Sequence, residues 1–317
     1  MNKIAIMMKI KLAAEALNNE ESIGNVVIPR QITIDGENRQ AISGDMLKHL
    51  HTRNLRLLAD ETELCEGCKI FSPNKNSSPV EKDDNLSESG NRVKNCIIDD
   101  VEGFMDPKGS AKRRSPINFS FAIAIEENEY QNLLHTKVDT TDEAGKKKKK
   151  ISKIPKKTDP NENNNKIVES LLLDESNQSD ESKNQNEESK NTQMIFYKPV
   201  RSNEYALTIQ LELDRIGLDD QKLKYSVDEA TQKLRQQKAI MALRNMFLDM
   251  EGAMCSTRLP HLINIEGILV KKTDKNQVLS KYSALNDDYK EVNQKISNES
   301  LIFNNIEEFC DVINSLI

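Results

Sequence analysis

The stretch EALNNEESIGNVVIPR (residues 15–30), running through RQITIDG (30–36) to AISGDMLKHLHTRNLR (41–56), carries the reading of the fold. It presents in turn a strand end, a Gly24-Asn25 loop, Arg30, a short strand over 31–35, and a helix with Ser43 at its N-cap. In that helix Leu47, Leu50, Asn54, Leu57 and Leu58 recur at i, i+3, i+7, i+10 and i+11, which sets an inward face. Lys48, His49, Thr52, Arg53 and Arg56 make a basic stripe on the other side. Such a stripe is ordinarily solvated surface. Beside it, however, stand a Gly-Asn loop and Arg30, and residues without Cβ let backbone approach a phosphate while helix N-termini offer it free N–H groups.

Upstream, Ile4, Ile6, Met8, Ile10 and Leu12 alternate, which predicts a first strand with one buried face. Downstream, Cys65 and Cys68 form a single CxxC, with His49 and His51 before it and Cys96 after it. Structural zinc needs four ligands, so one pair assigns no metal or cofactor, and the thiols read as free. Residues 61–96 form an insertion, polar and loop-like from 72 onward. Lys112, Arg113 and Arg114 then lead into the alternating run Ile117, Phe119, Phe121, Ile123 and Ile125. Two adjacent arginines at a strand entrance suit bidentate contact with a backbone phosphate.

Periodicity disappears over 126–193, and 140–191 is expected to be a disordered insertion holding a five-lysine run at 146–150. A strand at 194–197 is expected to return antiparallel to 117–125, followed by a half-buried strand with Tyr205, Leu207, Ile209, Leu211 and Leu213 on one face. Ser226 and Glu229 match a capping box ahead of the apolar stripe Val227, Ala230, Leu234, Ile240, Leu243, Phe247 and Met250. A loop at 255–261 containing Arg258, a strand at 262–270 and a mainly helical segment over 271–317 complete the chain. The resulting βαββαβ order predicts an α+β fold with a modified RRM or ferredoxin-like core over 1–270, interrupted by long insertions at 61–96 and 126–193. The base-stacking aromatics of ordinary RRM sheets are missing, so RNA would be held through its backbone.

A formal net charge of -6 argues at first against a polyanionic partner. Over 161–193, however, eight acidic residues face three lysines, so most of the excess sits in the insertion and basic patches survive elsewhere. Five cysteines without a secretory signal imply a reducing, cytoplasmic setting, and no apolar window is long enough to cross a membrane.

The blocks ALNNEESIGNVVIPR, AISGDMLKHLH, CEGC, VEGFM, RRSPINFSFAIAI and CSTRLPH, in that order, resemble the CRISPR-associated family-seven proteins of the DevR autoregulator type, within the RAMP superfamily. The resemblance implies a non-enzymatic backbone subunit of a type I Cascade. Copies would polymerise along crRNA, grip its sugar-phosphate backbone and present it for pairing with target DNA, alongside other Cascade subunits. Carried onto this sequence, it makes Gly24, Asn25, Arg30, Lys48, His49, Arg53, Arg113, Arg114 and Arg258 candidate RNA contacts. Two other readings stand beside it: an endoribonuclease using His49 or His51 as general acid or base, and a DevR-like regulator of CRISPR locus expression.

Overall fold

The structure, a computed structural model, describes residues 2–72, 75, 89–105, 111–126, 130–137, 194–250, 255 and 257–317. The expected disordered insertion at 140–191, with its lysine run, lies outside the described residues. Two units are distinguished, Met1–His135 with Phe196–Ile317, and Thr136–Ile195; the second is described only at residues 136, 137, 194 and 195.

In chain order the strands before the first helix are β1 (Lys3–Glu15), β2 (Asn19–Ile23), β3 (Val26–Pro29), β4 (Gln31–Ile34) and β5 (Glu37–Ile42). Helices α1 (Gly44–Leu58), α2 (Glu66–Lys69), α3 (Ser89–Asn95) and α4 (Ile97–Glu102) follow. Next come β6 (Phe104–Met105), β7 (Lys112–Arg113), β8 (Ile117–Phe119), β9 (Ala122–Ala124), β10 (Gln131–Lys137), β11 (Met194–Glu212), β12 (Leu218–Asp219) and β13 (Lys224–Tyr225). The chain ends with α5 (Glu229–Leu248), β14 (His261–Lys272), α6 (Tyr289–Ile296), β15 (Glu299–Phe303) and α7 (Ile306–Asn314). The fold is α+β. Its main sheet runs β15-β14-β1-β11-β9-β5-β4, with β8 and β10 also pairing β11.

The alternating apolar side chains of β1 make it the centre of that sheet, antiparallel to β11 from Lys3↔Glu212 and to β14 from Lys3↔Lys272. Ile4, Ile6, Met8, Ile10 and Leu12 enter the main core, where they meet Leu47, Leu50 and Leu55 of α1 and Ile240, Leu243 and Phe247 of α5. The opposite face is not solvated as expected. Ala5 and Met7 are fully buried there against Ala284 and Tyr289, because the C-terminal segment covers that side. That segment also contributes β15, so 271–317 extends the sheet as well as forming helices.

Other expectations change in informative ways. The strands expected at 194–197 and 205–213 are one strand, and its Tyr205–Leu211 portion faces β8 and β9. The single strand expected over 117–125 is broken at Ser120, whose backbone N–H donates to Thr208 O at 2.9 Å and whose hydroxyl accepts from Thr208 N at 2.8 Å. The expected loop between β1 and Arg30 is the β2–β3 hairpin. α5 is capped by Asp228, which accepts from Thr231 N, and not by Ser226. Sequence-based capping at Ser43 matches the structure, its side chain accepting from Met46 N at 3.2 Å. Leu57, expected inward, is exposed.

Where β14 passes β1 it must carry a glycine. A Cβ at Gly267 would stand 2.5 Å from Met7 O and 2.6 Å from the Phe303 ring. Gly267→Ala is therefore expected to cost about 1–3 kcal/mol through overpacking. Urea unfolding checks this as a lowered midpoint at unchanged slope; an unaltered midpoint would contradict the close approach.

Candidate nucleic-acid interface

The basic stripe read from α1 forms one wall of a groove of about 520 Å³. Lys48, His49, Thr52, Arg53 and Arg56 line it from the helix, with Asp45 at the helix start. Cys68 lines it from α2, Phe71, Ser72 and Lys75 from the segment that follows, and Ile98 from α4. An adjoining recess of about 310 Å³ shares Asp45 and Lys48 and is otherwise lined by Gly44 and residues 117–121. Lys48 thus belongs to both. Burial in the wall pulls its ammonium below the ordinary lysine range; Glu102 and Asp45 act against this, and Lys75 adds to it. An arriving phosphate would reverse that pull, since an opposite charge favours the protonated form.

The second wall is braced onto the first. Arg56 donates through Nε to Cys68 O at 3.1 Å and through Nη2 to Lys69 O at 2.9 Å, and its guanidinium lies 4.9 Å from the Phe71 ring centre. Phe71 and Lys75 both adopt positive φ, +56° and +50°. Such backbone is sparsely populated for an aromatic residue and persists only where the surroundings impose it. Lys75 Nζ donates to Gly103 O, which ties the wall to the end of α4.

The structure brings together Lys48, His49 and Arg53 among the sequence-derived site residues, and adds Arg56, Phe71 and Lys75. Lys75 had no signal of its own in a polar loop. Gly24 and Asn25 lie at the tip of the β2–β3 hairpin, where Gly24 is required by φ +63° and not by close packing. That tip and Arg258 both attach to the start of β11: Tyr197 N donates to Asn25 O at 2.7 Å, and Arg258 Nη1 to Pro199 O at 3.3 Å. Arg30 sits at the hairpin base, its N–H on Asn18 O and its carbonyl accepting from Ala41 N.

Arg113 and His51 require correction. Arg113 is buried, not displayed beside Arg114. Its guanidinium donates to Asp100 Oδ1 at 2.6 Å, to the carbonyls of Asp100 and Arg215 at 2.8 and 2.7 Å, and to Leu218 O. Asp100 in turn accepts from Arg235 Nη1 at 2.8 Å and from Gly217 N. Burial pushes Asp100 up and Arg113 down, each against the attraction of the other. The cation is committed to the core, and of the pair only Arg114 is exposed. His51 is likewise fully buried, one ring nitrogen against Glu102 and the other against Ala239 O at 3.0 Å, so it offers no accessible acid or base. His49 is exposed on the groove.

Beside the groove, the CxxC pair is joined by Cys96, and the three sulfurs lie within 4.8 Å of one another. Hydrogen bonds from the Cys68 and Cys96 thiols pull Cys65 down, while Cys65 pushes Cys68 up and burial pushes Cys96 up.

The profile described as "CRISPR-associated negative auto-regulator DevR/Csa2" matches residues 6–157 and 159–294. The chain belongs to the DevR/Csa2 family. No curated protein matches it. Among solved structures, a chain described as "CRISPR RNA-guided surveillance complex, pre-nicking" is similar at a TM-score of 0.50 and 9% identity, over 94% of this chain and 90% of that one. A chain described as "CRISPR RNA-guided surveillance complex" is similar at 0.40 and 10%, over 86% and 70%. At 9% identity the first likeness bears on the fold of this DevR/Csa2 member alone. Among its described residues, no helix is long and apolar enough to cross a membrane.

The two neighbouring arginines should separate cleanly on substitution. Arg113→Ala leaves Asp100 buried beside a lost partner and is expected to cost about 3–5 kcal/mol, whereas Arg114→Ala, at the surface, should stay within about 0.5 kcal/mol. Thermal and urea denaturation of both variants would check the difference.

Proposed function

We propose that this chain is the crRNA-binding backbone subunit of a type I Cascade in antiviral defence, copies of it polymerising along the guide and presenting it for pairing with target DNA. Membership of a CRISPR-associated family supports the setting. The observation that carries the binding reading is the groove, where Lys48, His49, Arg53, Arg56 and Lys75 gather and Asp45 is the single lining acid among the described residues. Phosphate contacts of this kind position a strand without reading its sequence, as a subunit that must accept any spacer requires. Phe71 offers an aromatic face at the same place, and such faces stack bases with little sequence preference. Contacts at Gly24, Asn25, Arg30, Arg114 and Arg258 extend the proposed path over the surface.

In this reading the core is a modified RRM-like sheet. Support comes from the order β14-β1-β11-β8, antiparallel throughout, with α1 between the first strand and β8 and α5 between β11 and β14. That is the arrangement a βαββαβ chain takes when both helices cover one face. The subunit binds and orders the guide without cutting it. His49 has an exposed imidazole, but buried His51 cannot join it in acid-base work.

Lys48→Ala and Arg53→Ala should weaken binding of repeat-containing RNA about equally for all spacers. Each lost phosphate contact should flatten the slope of log affinity against log salt by about 0.7. Native gels should show a ladder of regularly sized complexes with protected, uncut RNA. Loss confined to particular sequences, or cleavage abolished by His49→Ala, would contradict the proposal.

The family's description as a negative auto-regulator favours one second reading, repression of its own locus. A reporter driven by the region upstream of that locus would fall on expression of the chain under this reading and stay level under the first.

A further inference from the structure

The thiols of Cys65, Cys68 and Cys96 gather three soft ligands at one buried point, although the sequence places Cys96 far beyond the CxxC pair. Each is set by ordinary backbone. Cys65 caps α2, Cys68 lies one turn later and donates its N–H to Cys65 Sγ at 3.4 Å, and Cys96 precedes α4. All three are free cysteines and are at most 7% exposed. Tetrahedral zinc with Zn–S bonds of about 2.3 Å spaces its sulfurs about 3.8 Å apart. The three sulfurs here already lie within 4.8 Å of one another, within about 1 Å of that spacing.

We propose that Cys65, Cys68 and Cys96 bind a thiophilic divalent cation, zinc, through three thiolates, with a solvent molecule as the fourth ligand. Thiolates select soft metals over magnesium or calcium. Binding displaces whatever protons the three thiols carry, and the metal keeps its oxidation state. Three thiolates around a divalent ion leave one negative charge. Arg56 donates to the carbonyls of Cys68 and Lys69 and so anchors the turn that carries Cys68. A three-thiolate centre explains why three cysteines converge where a lone CxxC would need only its own turn.

The site has a structural consequence. Cys68 lines the groove, and the segment carrying Phe71 and Lys75 follows it directly. A metal bridging this turn to Cys96 fixes that wall to the start of α4. The proposal does not depend on what the groove binds, so metal content and RNA binding are measured separately.

Elemental analysis of the full chain purified without chelator should find on the order of one zinc per chain. Cys96→Ser should lower zinc content about tenfold or more, and Cys310→Ser, outside the trio, should leave it unchanged. Because Cys96 is fully buried and its replacement puts folding at risk, a second test uses the native sequence. After zinc removal, cobalt(II) should give sulfur-to-metal charge-transfer absorption and the intense visible bands of a tetrahedral site. Three additional thiols should then become reactive to a thiol reagent only when chelator is added. Failure of the native chain to take up either metal would overturn the proposal, as would thiols equally reactive with and without chelator. Loss of RNA binding at full zinc content would overturn the RNA reading and leave this one standing.

Discussion

Asp100 is the fixed point about which the helical side of the molecule is assembled. It is fully buried, yet it accepts from Arg113, Arg235 and the Gly217 amide, and so joins α4, β7, α5 and the turn after β11. Arg235 also donates to Val93 O at 2.6 Å and Lys94 O at 2.8 Å, bringing the end of α3 into the same cluster. A carboxylate in such a place is costly to desolvate, and the geometry repays this only because each oxygen has partners. The arrangement specifies which elements meet; the hydrophobic core beneath supplies most of the drive to bury them.

A second buried cluster does similar work at the other end of the sheet. Glu15 closes β1 and pairs with Arg201 Nε at 2.7 Å, accepts from Leu17 N at 2.6 Å and from the Tyr205 hydroxyl, while Asn203 donates to Gln40 at 2.8 Å. Burial, then the Glu15 charge, pushes the Tyr205 phenol well above its ordinary range, so it stays a neutral donor. With both clusters in place, α1 is held between a sheet of fixed register and α5. The cations on its outer face then start from defined positions, which lowers the ordering cost of holding an anion there.

These clusters also explain what the sequence concealed. The helix of residues 44–58 was legible because capping and 3.6-residue periodicity are local, and its basic stripe does line the groove. The length of β11 was not, because Arg201 and Asn203 point polar groups inward, and their partners Glu15 and Gln40 lie far back in the chain. Arg113 looked like surface because nothing local announces that Asp100 will meet it. Ala5 and Met7 looked like the solvent face of β1 because their cover, Ala284 and Tyr289, arrives from near the end of the chain. Cys96 could not be joined to the CxxC pair by spacing at all. In each case the deciding contact spans a long loop, and sequence patterns encode only the near neighbours.

The two walls of the groove therefore differ in kind. The α1 wall rests on Leu47, Leu50 and Leu55 in the main core, so it opens only when the core does. The facing segment leaves Ile70 and Phe71 exposed and is held by the Arg56 bonds, the Lys75 contact with Gly103 and the cysteine cluster. A wall fastened by a few polar contacts and a cluster of cysteines has a low free energy of local opening compared with one packed into a core. Anything that binds the groove, or the thiols beside it, thus gains most of its leverage on this side. The rigid helix sets where charge is presented, and the lighter wall sets how wide the groove opens.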